Sequence, residues 1–292
     1  MKNEIARLTR GCAHEGLLPR DEHGNKGSFG RLLCVCGSVA MPGAAVLCAS
    51  AALRCGVGLV RVALPRECIA GVVQRAPEAM FAPLLPNEDG ASAACNAPLV
   101  SEGCAWASAV LCGCGLSACG DTRTLLLAVL DNERPIVLDA DALNLLAREP
   151  ELLTCVRGAI LTPHLGEFAR LTGLSVTQIR QSRAQAAQSF AVRHGVTLVL
   201  KDSDTVVASP EGELWLYEGR NSGLAKGGSG DVLAGVIASL LAQGVPGARA
   251  AAAGVWLHGA AGRIACDKLG EHGMLPHDVI EALPQAILEV LA

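Results

Sequence analysis

The sequence predicts an α/β fold, a mostly parallel sheet with helices on both faces and an antiparallel hairpin at its edge. Short continuous apolar runs alternate with helical segments along nearly the whole chain, and strands that lack a polar face must be covered on both sides. Polar or glycine-rich residues then follow one apolar run after another, where an open parallel sheet places its ligands. The absence of any composition break or internal repeat in the 292 residues predicts one domain.

Residues 32–37 read as the first buried strand and the alanine-rich 42–55 as the helix after it. A strand at 59–63, a helix over 67–75 and a strand at 80–82 follow, and the prolines, Asn and Asp of 83–101 predict an irregular loop. Next come a strand at 109–113, a helix over 121–132, a strand at 136–139, a short helix over 143–147 and a strand at 159–162. Helices over 167–171 and 176–194 lead to strands at 197–201, 205–208 and 214–217, the last two joined by a hairpin turn at 210–213. The final third is helical, over 231–243, 248–267 and 276–291.

Composition narrows the function classes. Hydrophobic residues make up 51% and charged residues 18%, which excludes a disordered chain. A net charge of −4 without any basic block argues against a nucleic-acid partner. The charged stretch 1–20 lacks an apolar signal core and no apolar run is long enough for a membrane span, so a cytoplasmic protein with no membrane partner is expected. Among 13 cysteines no C-x-x-C occurs. The close pairs Cys34/Cys36 and Cys112/Cys114 place their members two apart, on one face of a strand, and the set reads as reduced thiols packed as small hydrophobes.

The run 225–235, Ala-Lys-Gly-Gly-Ser-Gly-Asp-Val-Leu-Ala-Gly, concentrates the chemistry. A glycine-rich turn opening an apolar helix aims backbone N–H groups and the positive end of the helix dipole at an anion such as polyphosphate. Asp231 would repel that anion unless it has a task there, and the obvious one is taking a proton from a hydroxyl that attacks phosphorus; the plain alternative is an ordinary first-turn acid. The turn does not stand alone. Gly37-Ser38, residues 113–117, Asp139-Ala140-Asp141, residues 162–167 and Lys201-Asp202 all lie just past strands, and six such ends together point to one site.

Gly-Ser-x-x-Met-Pro-Gly-Ala-Ala at 37–45, Ala-Leu-Arg-x-Gly-x-Gly-Leu-Val at 52–60, Leu-Asp-Ala-Asp-Ala-Leu-Asn at 138–144, Leu-Thr-Pro-His at 161–164 and Gly-Gly-Ser-Gly-Asp-Val-Leu-Ala-Gly at 227–235 resemble the NAD(P)H-hydrate dehydratases of the ribokinase-like superfamily. The match runs from about Lys26 to the end, with 1–25 as an amino-terminal extension of a single domain over 1–292 and no room for a fused epimerase. The resemblance implies a three-layer α/β/α sandwich and metabolite repair: hydrated NADH or NADPH, the S epimer, is phosphorylated on its ring hydroxyl by ADP or ATP and loses phosphate. The short chain favours ADP, giving AMP and phosphate. It further implies Mg2+, a homo-oligomer, and a separate epimerase acting on the same metabolite.

Carried over residue by residue, Asp231 would be the catalytic base and Gly227, Gly228 and Gly230 the anion hole. Lys201, Asp202, Ser203, Asp204, Thr205 and Gly230 would hold the nucleotide, and Ala44, Gly115, His164, Asp139, Asn144 and Asp231 the hydrate. Glu167 would position the magnesium through water. Asp139 and Asp141 either orient substrate hydroxyls or cap the helix that follows.

The chain departs from the family in four places. Asp202-Ser203-Asp204 replace Gly-Ala-Gly, setting two carboxylates where a polyphosphate would be repelled unless they point away or only the adenosine end lies there. Lys226 replaces a small hydroxyl residue and adds positive charge to offset them, Leu165 replaces a proline, and Ser117 ends the middle loop in place of a third glycine. Two other readings remain: a ribokinase-like kinase of a small alcohol such as a vitamin precursor, which would release a stable phosphate ester, and a nucleotide-binding protein that has lost catalysis.

Overall fold

The computed structural model describes residues 5–292. Its strands are Ala6–Arg7 (β1), Arg31–Val35 (β2), Leu59–Pro65 (β3), Met80–Leu84 (β4), Ala109–Cys112 (β5), Ile136–Leu138 (β6), Ile160–Leu161 (β7), Thr197–Leu200 (β8), Thr205–Ala208 (β9) and Leu214–Tyr217 (β10). They form one sheet in the order β1-β10-β9-β8-β7-β6-β5-β2-β3-β4. Every pair from β4 across to β8 is parallel, whereas β8–β9 and β9–β10 are antiparallel.

The helices are Arg10–Glu15 (α1), Pro42–Arg54 (α2), Ile69–Val72 (α3), Ala97–Trp106 (α4), Gly120–Leu130 (α5), Asp141–Arg148 (α6), Leu165–Thr172 (α7), Val176–Gln181 (α8), Arg183–His194 (α9), Ser229–Ala242 (α10), Gly247–Gly273 (α11) and Pro276–Leu291 (α12). Strand alternation sorts them into two layers. Leu32, Cys34, Val199 and Val207 point into a core shared with α1, α2, α3, α10, α11 and α12. Leu33, Val35, Leu198 and Val206 point into a second core under α4 to α9. This is the three-layer α/β/α sandwich, and the continuous apolar strands need both layers.

Helix α10 is apolar on all sides and buried along nearly its full length, as a central covering helix must be. It lies unusually close to α2: a Cβ built on Gly235 would sit 2.4 Å from the Cys48 carbonyl oxygen and 3.0 Å from its Cα. That approach brings the amino end of α10, with Asp231, over the carboxyl ends of β5 and β6.

Several elements differ from the sequence reading. Residues 83–101 are not one irregular loop, because β4 runs to Leu84 and α4 begins at Ala97; Pro98 sits in the first turn, where it costs no hydrogen bond. The helix expected over 176–194 breaks at Ser182 (φ −134°, ψ 35°) into α8 and α9. Of the expected extension 1–25, residues 1–4 lie outside the described residues, while β1 pairs in parallel with β10 and covers the hairpin edge. Cys112 and Cys114 face opposite cores, because Gly113 (φ +123°) turns the chain between them. Among the described residues no helix is long and apolar enough to cross a membrane.

The α2–α10 approach reverses a usual rule. Alanine in place of a mid-helix glycine ordinarily stabilises by about 1 kcal/mol, but the Gly235→Ala methyl must push against backbone. The variant is expected to lose about 2 kcal/mol, in the range of overpacking, read as a lower denaturation midpoint at unchanged slope.

Candidate active site

The centre of the site is an ion pair at the carboxyl ends of β6 and β8. Lys201 Nζ donates to Asp139 Oδ1 at 2.8 Å, and Thr162 Oγ1 donates to the same oxygen at 2.7 Å. Asp139 is 1% exposed, so these donors replace its hydration. Burial pulls the Lys201 pKa down, but the charges of Asp139 and Glu167 and the Asp139 hydrogen bond outweigh it and leave it above the usual lysine value. The backbone joins the same place, since Lys201 N–H donates to the Pro163 carbonyl at 2.9 Å and couples the 162–164 loop to β8.

Asp231 stands opposite this pair in the first turn of α10. Burial, reinforced by the Asp139 charge, pushes its pKa from 3.8 to about 6, against the opposing effects of a Cys114 hydrogen bond and Lys201. It is therefore a carboxylate at neutral pH with a raised proton affinity, suited to taking a proton. Gly228 adopts φ +97°, and a Cβ there would meet Leu47 at 2.5 Å. At Gly230 a Cβ would lie 3.2 Å from Lys201 Nζ, inside the site. Among the described residues the N–H groups of Gly227, Gly228, Gly230 and Asp231 have no acceptor. They form the orphan donors of a helix amino end, aimed where an anion can be held.

His164 and Glu167 interlock as a capping box on α7. His164 Nδ1 accepts from Gly166 N–H at 2.9 Å and Glu167 N–H at 3.3 Å, while His164 N–H donates to Glu167 Oε2 at 2.8 Å. Burial, then the Lys201 and Arg170 charges, lower the His164 pKa, so the ring is neutral near pH 7 with its Nε2 carrying the proton. Glu167 is 6% exposed, and burial raises its pKa against the pull of Lys201. Capping, which sequence spacing alone did not disclose, is thus the visible role of both residues.

A cavity of about 600 Å³ opens beside the pair, lined by His164, Lys201, Asp202, Ser203, Thr205 and Gly230 among the expected residues. The two acids of the β8–β9 turn do not project bare charge into it. Asp202 lies 3.5 Å from Arg183 and 3.8 Å from Arg180, and Asp204 lies 2.8 Å from Arg220 and 4.0 Å from Arg183. The Arg220 hydrogen bond holds the Asp204 carboxyl below its ordinary pKa. Three guanidinium groups against two carboxylates leave the turn net positive. Lys226 also lines this cavity, its Nζ held by the carbonyls of His272, at 2.8 Å, and Met274 at the end of α11.

The hydrate-side residues fall into two groups. Ala44 and Gly115 are back to back, a Cβ on Gly115 (φ +62°) lying 2.7 Å from Ala44 Cβ. Neither Asp139 nor Asp141 caps α6 with its side chain. Asp139 holds Lys201, and Asp141 accepts Ser117 N–H at 2.8 Å, pinning the 113–117 loop with Ser117 at φ +69°. Asn144 points the other way: its Oδ1 accepts from Arg170 at 2.8 and 3.1 Å and its Nδ2 lies 3.3 Å from Asp141, at the edge of a separate shallow cavity. Sequence reasoning missed Ala140, at φ +49° and ψ −111°, and buried His258, whose Nε2 is 3.4 Å from Ser229 Oγ and whose pKa falls to about 4 on burial. It also missed Tyr217 and Asn221 in the cavity wall. Only His258 carried a signal, a lone histidine in the apolar stretch 250–262 of α11.

A family model described as NAD(P)H-hydrate dehydratase matches residues 32–285. An ADP-dependent (S)-NAD(P)H-hydrate dehydratase of Neisseria meningitidis is 41% identical over 90% of this chain and 86% of its own length. A bifunctional NAD(P)H-hydrate repair enzyme of Moorella thermoacetica is 38% identical over 96% of the chain, which spans 53% of that relative. The crystal structure of an ADP/ATP-dependent NAD(P)H-hydrate dehydratase from Bacillus subtilis, co-crystallised with ATP and Mg2+, superposes with a TM-score of 0.83 at 29% identity, covering 98% of this chain and 99% of that one. A hydroxyethylthiazole kinase of Pyrococcus horikoshii, at 16% identity and TM-score 0.59, shares the fold.

The Lys201–Asp139 pair generates a test. Lys201→Met leaves the Asp139 carboxylate buried without its counter-charge, a loss of about 3–5 kcal/mol at pH 7. An unpaired buried carboxyl has a raised pKa and is neutral at low pH. The deficit relative to wild type is therefore expected to shrink as the pH is lowered, measured by chemical denaturation at each pH.

Proposed function

The chain belongs to the NAD(P)H-hydrate dehydratase family, and we propose that it dehydrates the S epimer of hydrated NADH or NADPH with ADP as phosphoryl donor. The observation that carries this reading is Asp231: a partly buried carboxylate raised to about 6, set beside N–H groups that have no acceptor among the described residues. A hydroxyl held against Asp231 gives up its proton as its oxygen bonds to the terminal phosphorus of ADP, and AMP departs. Phosphate is then a good leaving group. The ring-nitrogen lone pair expels it, and loss of the adjacent ring proton restores the double bond of NAD(P)H. The N–H groups of Gly227, Gly228 and Gly230 stabilise charge on the transferred group, and Lys201 stands 3.2 Å from where a Gly230 Cβ would be, adding a cation to the same space.

Magnesium fits the donor set on the Glu167 side. Glu167 is a hard oxygen donor, and each of its oxygens, though in contact with His164, keeps a further lone-pair direction. Glu167 would hold the ion through water; bound with the nucleotide, it neutralises phosphate charge. The net-positive turn formed by Asp202, Asp204 and their arginines accommodates a nucleotide at the cavity despite its two acids. His164, neutral and lining the cavity, offers the edge of its ring to the hydrate, with its Nε2 3.5 Å from Glu167 Oε1.

Recovery of the near-ultraviolet absorbance of NADH from its hydrate, with magnesium and ADP or ATP, is the direct test. Accumulation of a stable phosphate ester in its place would make the protein a kinase of another alcohol. Asp231→Asn is expected to lower turnover by about 10²–10⁴-fold while nucleotide binding stays within a factor of two or so. The wild-type kcat/KM should fall on the acid side with a midpoint near pH 6, because the ionised Asp231 is the active form. An unchanged rate in the variant would remove Asp231 from the chemistry.

A further inference from the structure

Beneath Asp231 the fold gathers three thiols from three separate elements. Cys36 follows β2, Cys48 lies on α2 and Cys114 lies in the loop after β5, and their Sγ atoms all fall within 4.8 Å of one another. All three are fully buried. A second triad shares Cys114: its Sγ and carboxylate oxygens of Asp139 and Asp231 also lie within 4.8 Å of one another. Cys114 Sγ is 3.5 Å from Asp139 Oδ2, the oxygen not bonded to Lys201, and Cys48 Sγ is 3.4 Å from the Asp231 carbonyl oxygen. Packing alone does not ask for this arrangement, since any small apolar residue fills such space.

We propose that Cys36, Cys48 and Cys114, completed by a carboxylate oxygen of Asp139 or Asp231, form a binding site for a soft divalent cation of the zinc–cadmium class, and that its occupancy silences Asp231. Tetrahedral zinc with sulfur ligands at about 2.3 Å sets neighbouring sulfurs roughly 3.8 Å apart, so the thiols need to close by no more than about an ångström. Three sulfurs and one oxygen suit a d¹⁰ ion and not magnesium, which takes oxygen ligands. Burial pushes the Cys36 and Cys48 thiols up, and the Cys36 hydrogen bond with burial raises Cys114 against the opposing Cys48 hydrogen bond, so all three are protonated without a metal. Binding therefore displaces three protons and tightens with rising pH. The entry lies on the Asp231 side, where the carboxylate is only partly buried. A cation there draws on the carboxylate pair that includes the base, and turnover stops. The inhibitory half rests on the dehydratase reading; the metal site does not.

Cadmium is the probe, because thiolate-to-cadmium charge transfer absorbs in the ultraviolet and reports binding without turnover. The reduced full chain is expected to take one tight equivalent, with a shell of three sulfurs by X-ray absorption at the cadmium edge. Cys36→Ala and Cys48→Ala should each weaken binding at least tenfold and relieve cadmium inhibition of hydrate turnover by a similar factor. Replacing the exposed Cys95 and Cys155 with serine should change neither. A shell without three sulfurs, a tight equivalent that survives in Cys36→Ala, or one lost with Cys95 and Cys155 overturns the site. Should either alanine variant melt far below wild type without metal, the sulfur count in wild type decides alone. Tight three-sulfur binding without inhibition of an active enzyme would overturn the silencing of Asp231. Binding in a protein that dehydrates nothing would sink the dehydratase reading and leave the site standing.

Discussion

The close approach of α10 to α2 is the constraint on which the rest depends. Helices usually pack with axes about 8–10 Å apart because side chains keep them there. At Gly235 there is no side chain, and the backbone of Cys48 fills the place a Cβ would take. The contact fixes α10 along its axis as well as across it. Its amino end, with the glycine turn and Asp231, is thereby delivered to the strand ends that carry Asp139 and Lys201. Cys48 belongs to the same contact, and its Sγ reaches the Asp231 carbonyl. One missing methyl thus positions the base, the helix dipole and the thiol cluster together.

Charge balance at the strand ends then tunes what packing has assembled. Asp139 and Asp231 repel each other's ionised forms, and burial acts in the same direction on Asp231. Lys201 offsets part of this, but its ammonium is bonded to Asp139, and Asp231 keeps a raised pKa. Two carboxylates in one site acquire different tasks because only one owns the cation, a division common at acid–base sites. His164 is held neutral by burial and by the same lysine, so its ring joins the site without adding positive charge.

The parts legible in the sequence are those that local chemistry determines. The glycine turn before Asp231, the polar ends after the strands and the alternation of apolar runs with helices each follow from nearby residues, and the site forms where they converge. The rest needed distant partners. Nothing in Asp202-Ser203-Asp204 announces that arginines on α8, on α9 and after β10 will neutralise them. Nothing around Lys226 announces that the end of α11 will take its ammonium. Pro98 hid α4, because a first-turn proline looks the same as a loop proline from its neighbours. The cysteines, read pairwise along the chain, gave no metal pattern; Cys36, Cys48 and Cys114 meet only once β2, α2 and β5 are assembled.

The strained segment at Ala140 follows from the same geometry. Its φ of +49° with ψ −111° is a conformation that an L-residue adopts at a cost of about 1–3 kcal/mol. Gly113 lies against this segment, and a Cβ built there would be 2.0 Å from the Asp139 carbonyl oxygen. The two loops therefore cross with no room between them. Asp139 must turn its carboxylate toward Lys201, while Asp141, two residues on, must turn toward Ser117 N–H. In an ordinary strand, residues two apart project on the same face and would not aim their carboxylates at two such different partners. The twist at Ala140 is what permits it, and the ion pair and the pinned loop hold it in place.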